Sequence, residues 1–310
     1  MTTQKKFLGK IRDNPLIALE RGRREVMAAI WREYLAEALQ VNPKAGSFQL
    51  LIERIETTAD FPTLYEDWNE LDTPQRAARW RKLINVAKEQ IELAKDQCLR
   101  CGECCELGSP TLMPADMRLF QENILDWTDV YVLRKGEKVS SPRSEEPQTL
   151  TEERIKIKEH SGTKNCLFYA TNPNRCLIYN HRPQQCRDQL CWAGDEEGDT
   201  ASRSYLNRKH LFGGHPEIWE LIQAHEQRCA SDKFKDILRR LDKEQESAQE
   251  SLFDMLHFDH YLRQMFLQEW EIPPAAIELL LGRPLSELIL NFGLKAVMTP
   301  EGVFNLEPRR

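Results

Sequence analysis

The cysteines are the residues of this sequence whose number and spacing could support chemistry. Eight of the nine cysteines fall between Cys98 and Cys191. Four lie in one short run, Cys98-Leu-Arg-Cys101-Gly-Glu-Cys104-Cys105, and four follow it: Cys166, Cys176, Cys186 and Cys191. Thiolates spaced three residues apart around a glycine can converge on one centre, such as a soft metal or an iron–sulfur cluster. Because such a centre takes about four ligands, these thiols suffice for two sites, or for one site and four other thiols.

Disulfide bonds are the main alternative use of these cysteines. They require an oxidising compartment, and the N-terminal segment lacks the apolar core and small-residue cleavage site of a secretory signal. A bond between the adjacent Cys104 and Cys105 would also be strained, and an odd total leaves one thiol unpaired. The sequence therefore favours metal or cluster ligation, with eight candidate ligands: Cys98, Cys101, Cys104, Cys105, Cys166, Cys176, Cys186 and Cys191.

The composition argues against several classes of protein. Of 310 residues, 41% are hydrophobic and 30% are charged, which indicates much helical surface rather than a compact sheet core. The formal net charge of −6 argues against a general nucleic-acid or anionic-membrane binder. No apolar run approaches the roughly 18 residues needed to cross a bilayer. We therefore expect a cytoplasmic protein that neither binds nucleic acid nor inserts into a membrane.

The hydrophobic pattern predicts a mainly α fold, with helical arms at both ends of a small, irregular, cysteine-rich metal-binding domain that has a few short strands. We place these parts at residues 1–96, 97–192 and 193–310. In the N-terminal arm, Asn14-Pro15 predicts one helix start and Thr73-Pro74 another. The second helix has a continuous apolar face: Ala77, Trp80, Ile84, Ala87, Ile91 and Ala94.

The cysteine-rich segment has weaker local patterns. Met113-Pro114 predicts a short helix, while residues 131–133 and 154–158 predict strands. Residues 139–153 predict an exposed loop, in which Glu152 and Glu153 would be solvated. The acidic residues 194–199 predict a boundary.

The C-terminal arm predicts helices from Pro216, at 234–241 and at 252–270, with Gly282 and Gly293 ending two shorter ones. Residues 295–304 predict a hairpin. His225 and Cys229 have ligand spacing, but both fall on an apolar helix face, which favours a packed pair.

The cysteine-rich segment resembles the YkgJ-type cysteine-cluster family, also described as the CxxCxxCC putative zinc- or iron-chelating domain. The resemblance covers residues 97–192 and rests on three features: the CxxCxxCC run, Cys166, and the block Cys176-Leu-Ile-Tyr179-x2-Arg182-Pro183-x2-Cys186-Arg187-x3-Cys191. The sequence departs from the family at Leu167 and Leu190, which concern packing rather than ligand number. The resemblance implies a bound metal. Some family members are iron–sulfur proteins, and a related domain occurs in flagellin lysine methylases.

The spacing of the cysteines is compatible with either an iron–sulfur cluster or a zinc ion. Zinc ligands commonly come as two-cysteine knuckles, whereas Cys98, Cys101 and Cys104 at successive spacings resemble the ferredoxin pattern around a [4Fe–4S] cluster. None of these cysteines is followed by the proline common in ferredoxins. We expect an iron–sulfur cluster, with zinc as the alternative. Nearby arginines would lower the net charge of an anionic cluster: Arg100, Arg182 and Arg187.

Three functions fit these features. The first is an iron–sulfur protein that transfers electrons, or is an accessory to a redox or maturation system, and docks a protein partner. The second is a cluster-dependent protein-modifying enzyme similar to a lysine N-methylase, although no nucleotide-binding glycine motif, phosphate loop or Gly-x-Ser-x-Gly is present. The third is a zinc-stabilised interaction module.

Overall fold

The fold is seen in a computed structural model and divides into two compact units. The residues described are 19–39, 41–58, 61–64, 66–94, 97–141, 144–188, 204–241 and 245–309. The first unit is drawn from Met1–Glu103, Thr171–Arg175 and Arg187–Ala201, and the second from Cys104–Ala170, Cys176–Cys186 and Ser202–Arg310. Helices predominate over short strands in the described residues, as predicted. No described helix is both long and apolar enough to cross a membrane.

Three long helices build the first unit: α1 (Arg24–Ala38), α2 (Gly46–Glu56) and α3 (Thr73–Ala94). The predicted start of α3 is confirmed. It is fixed by a capping box in which the Asp72 amide donates to the Gln75 side chain at 2.9 Å and the Gln75 amide donates to the Asp72 carboxylate at 2.8 Å. The Asn14-Pro15 helix start lies outside the described residues.

The buried face of α3 differs slightly from the predicted one. Trp80, Ala87 and Ala94 are buried as expected, whereas Ala77, Ile84 and Ile91 are only partly buried. Leu83, absent from the predicted face, is fully buried against the same core. Three of the four buried residues of α3 therefore lie on the predicted face, and Leu83 is buried where Ile84 was expected.

The second unit contains the other elements, in chain order. Its helices are α4 (Glu103–Leu107, whose first residue falls in the first unit), α5 (Met117–Gln121), α6 (Gln184–Arg187), α7 (Arg208–Phe212), α8 (Pro216–Arg228), α9 (Ser231–Arg240), α10 (Gln245–Gln268), α11 (Ile277–Leu281) and α12 (Leu285–Leu288). The strands are β1 (Val130–Leu133), β2 (Lys138–Ser141), β3 (Ser144–Thr149), β4 (Arg154–Ile157), β5 (Tyr169–Thr171), β6 (Asn174–Cys176), β7 (Leu294–Met298) and β8 (Phe304–Pro308). The end of β5 and the start of β6 fall in the first unit.

The strands pair as four separate two-stranded sheets: β1–β4, β2–β3, β5–β6 and β7–β8. The predicted strands β1 and β4 are confirmed and pair antiparallel, with Val130 opposite Ile157. The predicted hairpin near the C-terminus is also confirmed in β7–β8, where Gly302 adopts a φ of 81° in the turn. Positive φ at Gly282 and Gly293 confirms the two predicted helix stops.

The exposed loop predicted at 139–153 is wrong, because β2 and β3 form an antiparallel hairpin there, with Lys138 opposite Thr149. Backbone hydrogen bonds hold such a ribbon without an alternating apolar pattern. Pro147 is tolerated because β3 has a partner on one side only.

Charged side chains are also buried in the second unit. The predicted solvation of Glu153 is wrong, because its carboxylate accepts from the Nη2 of the buried Arg208 at 2.6 Å. The predicted packing of His225 and Cys229 is confirmed: both are fully buried, and the His225 Nε2 lies 2.8 Å from the Asp259 carboxylate. These buried polar side chains stabilise the helical part of the unit. They are not part of the thiol cluster described below.

Candidate metal centre

Hydrogen bonds hold a remote cysteine and its strand beside α4, which carries Cys104 and Cys105. The amide of Cys166 donates to the carbonyl of Cys105 at 2.7 Å. The hydroxyl of Tyr169 donates to the Glu106 carboxylate at 3.1 Å, which holds β5 against α4. The chain then returns through β6 to α6, and the unit contains five predicted ligands: Cys104, Cys105, Cys166, Cys176 and Cys186.

These five thiols lie close enough to perturb one another's protonation. The Sγ atoms of Cys104 and Cys105 are 4.0 Å apart, and this contact, followed by burial, raises the pKa of Cys105 far above its usual value. Burial raises the pKa of Cys166 to about 11, with a contribution from Cys176. Burial and then the charges of neighbouring thiols also raise the pKa of Cys186. Without metal, these three cysteines are therefore protonated at neutral pH.

The side chains are not arranged as a closed coordination shell. In the part of the chain that the structure describes, no three Cys, His, Asp or Glu side chains form a metal site. No disulfide joins any two of the described cysteines. A metal would therefore have to draw the sulfur atoms together and displace their protons, which is the usual behaviour of a thiolate site that forms on metal binding.

A buried carboxylate, not identified from the sequence, anchors the helix that carries Cys186. Asp116 is fully buried and accepts from the amide of Met113 at 2.9 Å and from the amide of Gln184 at 2.8 Å. Gln184 is the first residue of α6, so this carboxylate fixes the start of the helix two residues before Cys186. The sequence does contain a signal for Asp116: in Met113-Pro-Ala-Asp116, a proline is followed by an acidic residue at the third helical position, which is typical of a helix start.

Cys98 and Cys101 belong to the first unit. The amide of Arg100 donates to the Cys98 Sγ at 3.3 Å, and Arg100 and Gly102 both adopt positive φ, at 60° and 87°. Their left-handed backbone turns the chain between successive cysteines. The predicted roles of Cys98 and Cys101 as ligands stay predictions, and the predicted ligand Cys191 lies outside the described residues.

Glu103 fixes this turn to the start of α2. Its carboxylate accepts from the amides of Gly46 at 2.5 Å and Ser47 at 3.3 Å, and lies 3.8 Å from the Cys101 Sγ. Burial raises the pKa of Glu103, but the hydrogen bonds from Gly46 and Ser47 outweigh it and hold the pKa below its usual value. The ionised carboxylate is therefore a stable support for the Cys101 loop in the first unit.

We expect Asp116→Asn to weaken metal binding by about tenfold, because replacing a group that supports a metal ligand commonly lowers the affinity by this much. The asparagine amide would point its own N–H₂ at one of the two backbone donors, and the free energy of unfolding should fall by about 1–3 kcal/mol. Competition with a chromophoric chelator measures the affinity, and urea unfolding measures the stability. Asp254→Asn, at an exposed position, is the control. Unchanged metal affinity in Asp116→Asn would contradict the anchoring role.

The described cysteines of the site lie within a segment that a protein-family model matches. Residues 97–209 match the model of the CxxCxxCC family, which is described as a putative zinc- or iron-chelating domain. This segment is similar to the CxxCxxCC domain. The match supports metal binding and covers less than half of the chain, so the two helical arms are assigned to no family by it. No curated protein and no solved structure matches the chain.

Proposed function

We propose that the CxxCxxCC domain binds an iron–sulfur cluster, and that the protein transfers electrons or is an accessory to a redox or maturation system. The grouping of five thiols in the second unit carries this proposal: Cys104, Cys105, Cys166, Cys176 and Cys186. Four thiolates suffice for one cluster, and soft sulfur ligands select iron–sulfur, zinc or copper(I) over harder ions. Once bound, the cluster would supply one-electron chemistry, and the chain would set its potential.

A protein partner belongs to this proposal, because a cluster that exchanges electrons needs a donor or an acceptor. The cysteines at 104, 105, 176 and 186 are only partly buried. Next to them along the chain, Leu107 and Leu177 are 55% and 58% exposed, so apolar side chains beside the thiols are available for contact. The absence of disulfides among the described cysteines supports a reducing compartment such as the cytoplasm.

One distance favours a second candidate, a zinc-stabilised interaction module. Two thiolates on one tetrahedral zinc, with Zn–S bonds of about 2.3 Å, are about 3.8 Å apart. The separation of 4.0 Å between the Sγ atoms of Cys104 and Cys105 is close to this value. The zinc would then hold the loops of the domain together without changing its oxidation state.

We expect the protein to be coloured when it is purified without oxygen, and to lose its colour in air. The reason is the sulfur-only set of clustered donors, since sulfur-to-iron charge transfer gives such clusters their visible absorption. Iron and acid-labile sulfide should be present in equal amounts, and a mild reductant should bleach the spectrum and change the paramagnetic signal. A colourless protein with stoichiometric zinc and no sulfide would overturn the iron–sulfur proposal in favour of the zinc module.

A further inference from the structure

Arg182 carries two N–H groups that have no acceptor among the described residues. Its Nε and Nη1 atoms are buried and make no hydrogen bond there. Its guanidinium carbon lies 4.1 Å from the centroid of the Tyr179 ring. A buried donor without an acceptor is unfavourable, and buried polar groups in proteins are almost always satisfied. The two N–H groups are therefore open to an acceptor that the described residues do not supply.

The backbone holds this side chain close to the start of α6. Arg182 is extended, with φ of −50° and ψ of 139°, as expected for the residue before a proline. Pro183 is buried, and its carbonyl accepts from the amide of Cys186 at 3.0 Å. Stacking on Tyr179 and the turn through Pro183 thus fix the guanidinium four residues before a candidate ligand.

The charge of Arg182 acts on the clustered thiols. Burial and the thiols of Cys104, Cys166 and Cys176 all raise the pKa of Cys186, and Arg182 opposes them. Arg182 therefore lies within electrostatic range of the Cys186 sulfur. By contrast, Arg100 and Arg187, the other arginines that the sequence suggested, are exposed.

We propose that Arg182 is a positioning residue of the metal centre, and that its Nε–H and Nη1–H donate hydrogen bonds to metal-bound cysteine sulfur. The inference rests on the proposed function. Neutral thiols are weak acceptors, so protonated cysteines would satisfy these donors poorly. Metal-bound thiolates carry negative charge, and hydrogen bonds and nearby cations stabilise that charge and tune the centre.

The test compares variants of the full-length protein loaded with Zn²⁺ or Co²⁺. Arg182→Gln removes the charge and the N–H fork, and should weaken Zn²⁺ binding by about 10- to 100-fold. Arg182→Lys restores the charge but not the planar fork, so its affinity should fall between those of Arg182→Gln and the unmodified protein. The matched control is Arg228→Gln. Arg228 also stacks on an aromatic ring in the second unit, 3.9 Å from the centroid of Phe258, beside the non-ligand Cys229. The Arg228→Gln variant should change the Zn²⁺ affinity by less than about twofold.

The Co²⁺ spectrum separates this role from a structural one. Loss of N–H···S bonds should shift the sulfur-to-cobalt charge-transfer band in Arg182→Gln, and the band should keep its position in Arg228→Gln. Equal affinity and an unshifted band in Arg182→Gln would overturn the inference. Weaker binding with an unshifted band and a lower melting temperature of the metal-free variant would also overturn it, in favour of structural support. Failure of the unmodified protein to bind either ion would overturn the inference in this form, whereas absence of iron and sulfide from the anaerobic protein would overturn the proposed function.

Discussion

Replacing Cys186 by serine should lower the affinity of the protein for zinc or iron by about 10³-fold. Structural zinc sites bind with about 10–16 kcal/mol at neutral pH, so the loss of one of four thiolates removes roughly 3–4 kcal/mol. A serine hydroxyl is a poor replacement for a soft thiolate ligand. Because Asp116 and the Pro183 carbonyl hold the backbone around Cys186, the fold of α6 should persist in the variant.

The measurement is metal content after purification, followed by chelator competition. Cys229→Ser is the matched control, since Cys229 is fully buried and its Sγ lies 3.7 Å from the Met255 carbonyl. It should lose some stability and keep its metal. Unchanged metal content in Cys186→Ser, or metal loss in Cys229→Ser, would contradict the assignment of the centre to the five clustered thiols.

The same experiment on Cys101→Ser addresses the ligands that the structure leaves as predictions. Metal loss equal to that in Cys186→Ser would place Cys101 among the ligands of the same centre. Loss of only part of the metal would indicate a second centre, as the number of cysteines allows. Retention of all the metal would restrict the centre to cysteines of the second unit.

Elements with strong local signals could be predicted from the sequence. The start of α3 was predicted correctly because Asp72, Thr73 and Pro74 are local determinants of a helix N-terminus. Gly282 and Gly293 ended helices as expected because a positive φ favours glycine. By contrast, β2 and β3 have polar sequences, so the pairing that makes them strands leaves no hydrophobic pattern to detect.

In the candidate site, too, locally determined features could be predicted and features that depend on long-range contacts could not. The eight candidate ligands were selected by residue type and spacing. The association of Cys166 with Cys105 depends on a backbone hydrogen bond between residues 61 positions apart, which no local pattern encodes. Asp116 and Glu103 also act across long separations, on Gln184 and on Gly46. Sequence reasoning therefore selected the candidate ligands, and missed the carboxylates that hold the backbone near Cys186 and Cys101.

Metal affinity should rise steeply with pH, by up to about 10⁴-fold per pH unit if four thiols each release a proton. The pKa of Cys166 is raised to about 11, and the pKa values of Cys105 and Cys186 are raised too. Each metal-bound sulfur must lose its proton, so protons compete with metal at all pH values below these pKa values. A cluster of ordinary thiols would stop gaining affinity near pH 8.5, whereas this centre should continue beyond it.

The metal-free domain should respond to pH in the opposite direction. A thiol whose pKa is higher in the folded state than in the unfolded state stabilises the fold fully below the unfolded pKa of about 8.5. That contribution is lost as the pH rises through the folded pKa, which is about 11 for Cys166. Urea unfolding from pH 7 to 10 should therefore show falling stability without metal and constant or rising stability with zinc. Calorimetry of zinc binding in two buffers of different ionisation enthalpy counts the protons released. Release of fewer than about two protons at pH 7, or parallel stability curves, would show that the clustered thiols are not the ligands.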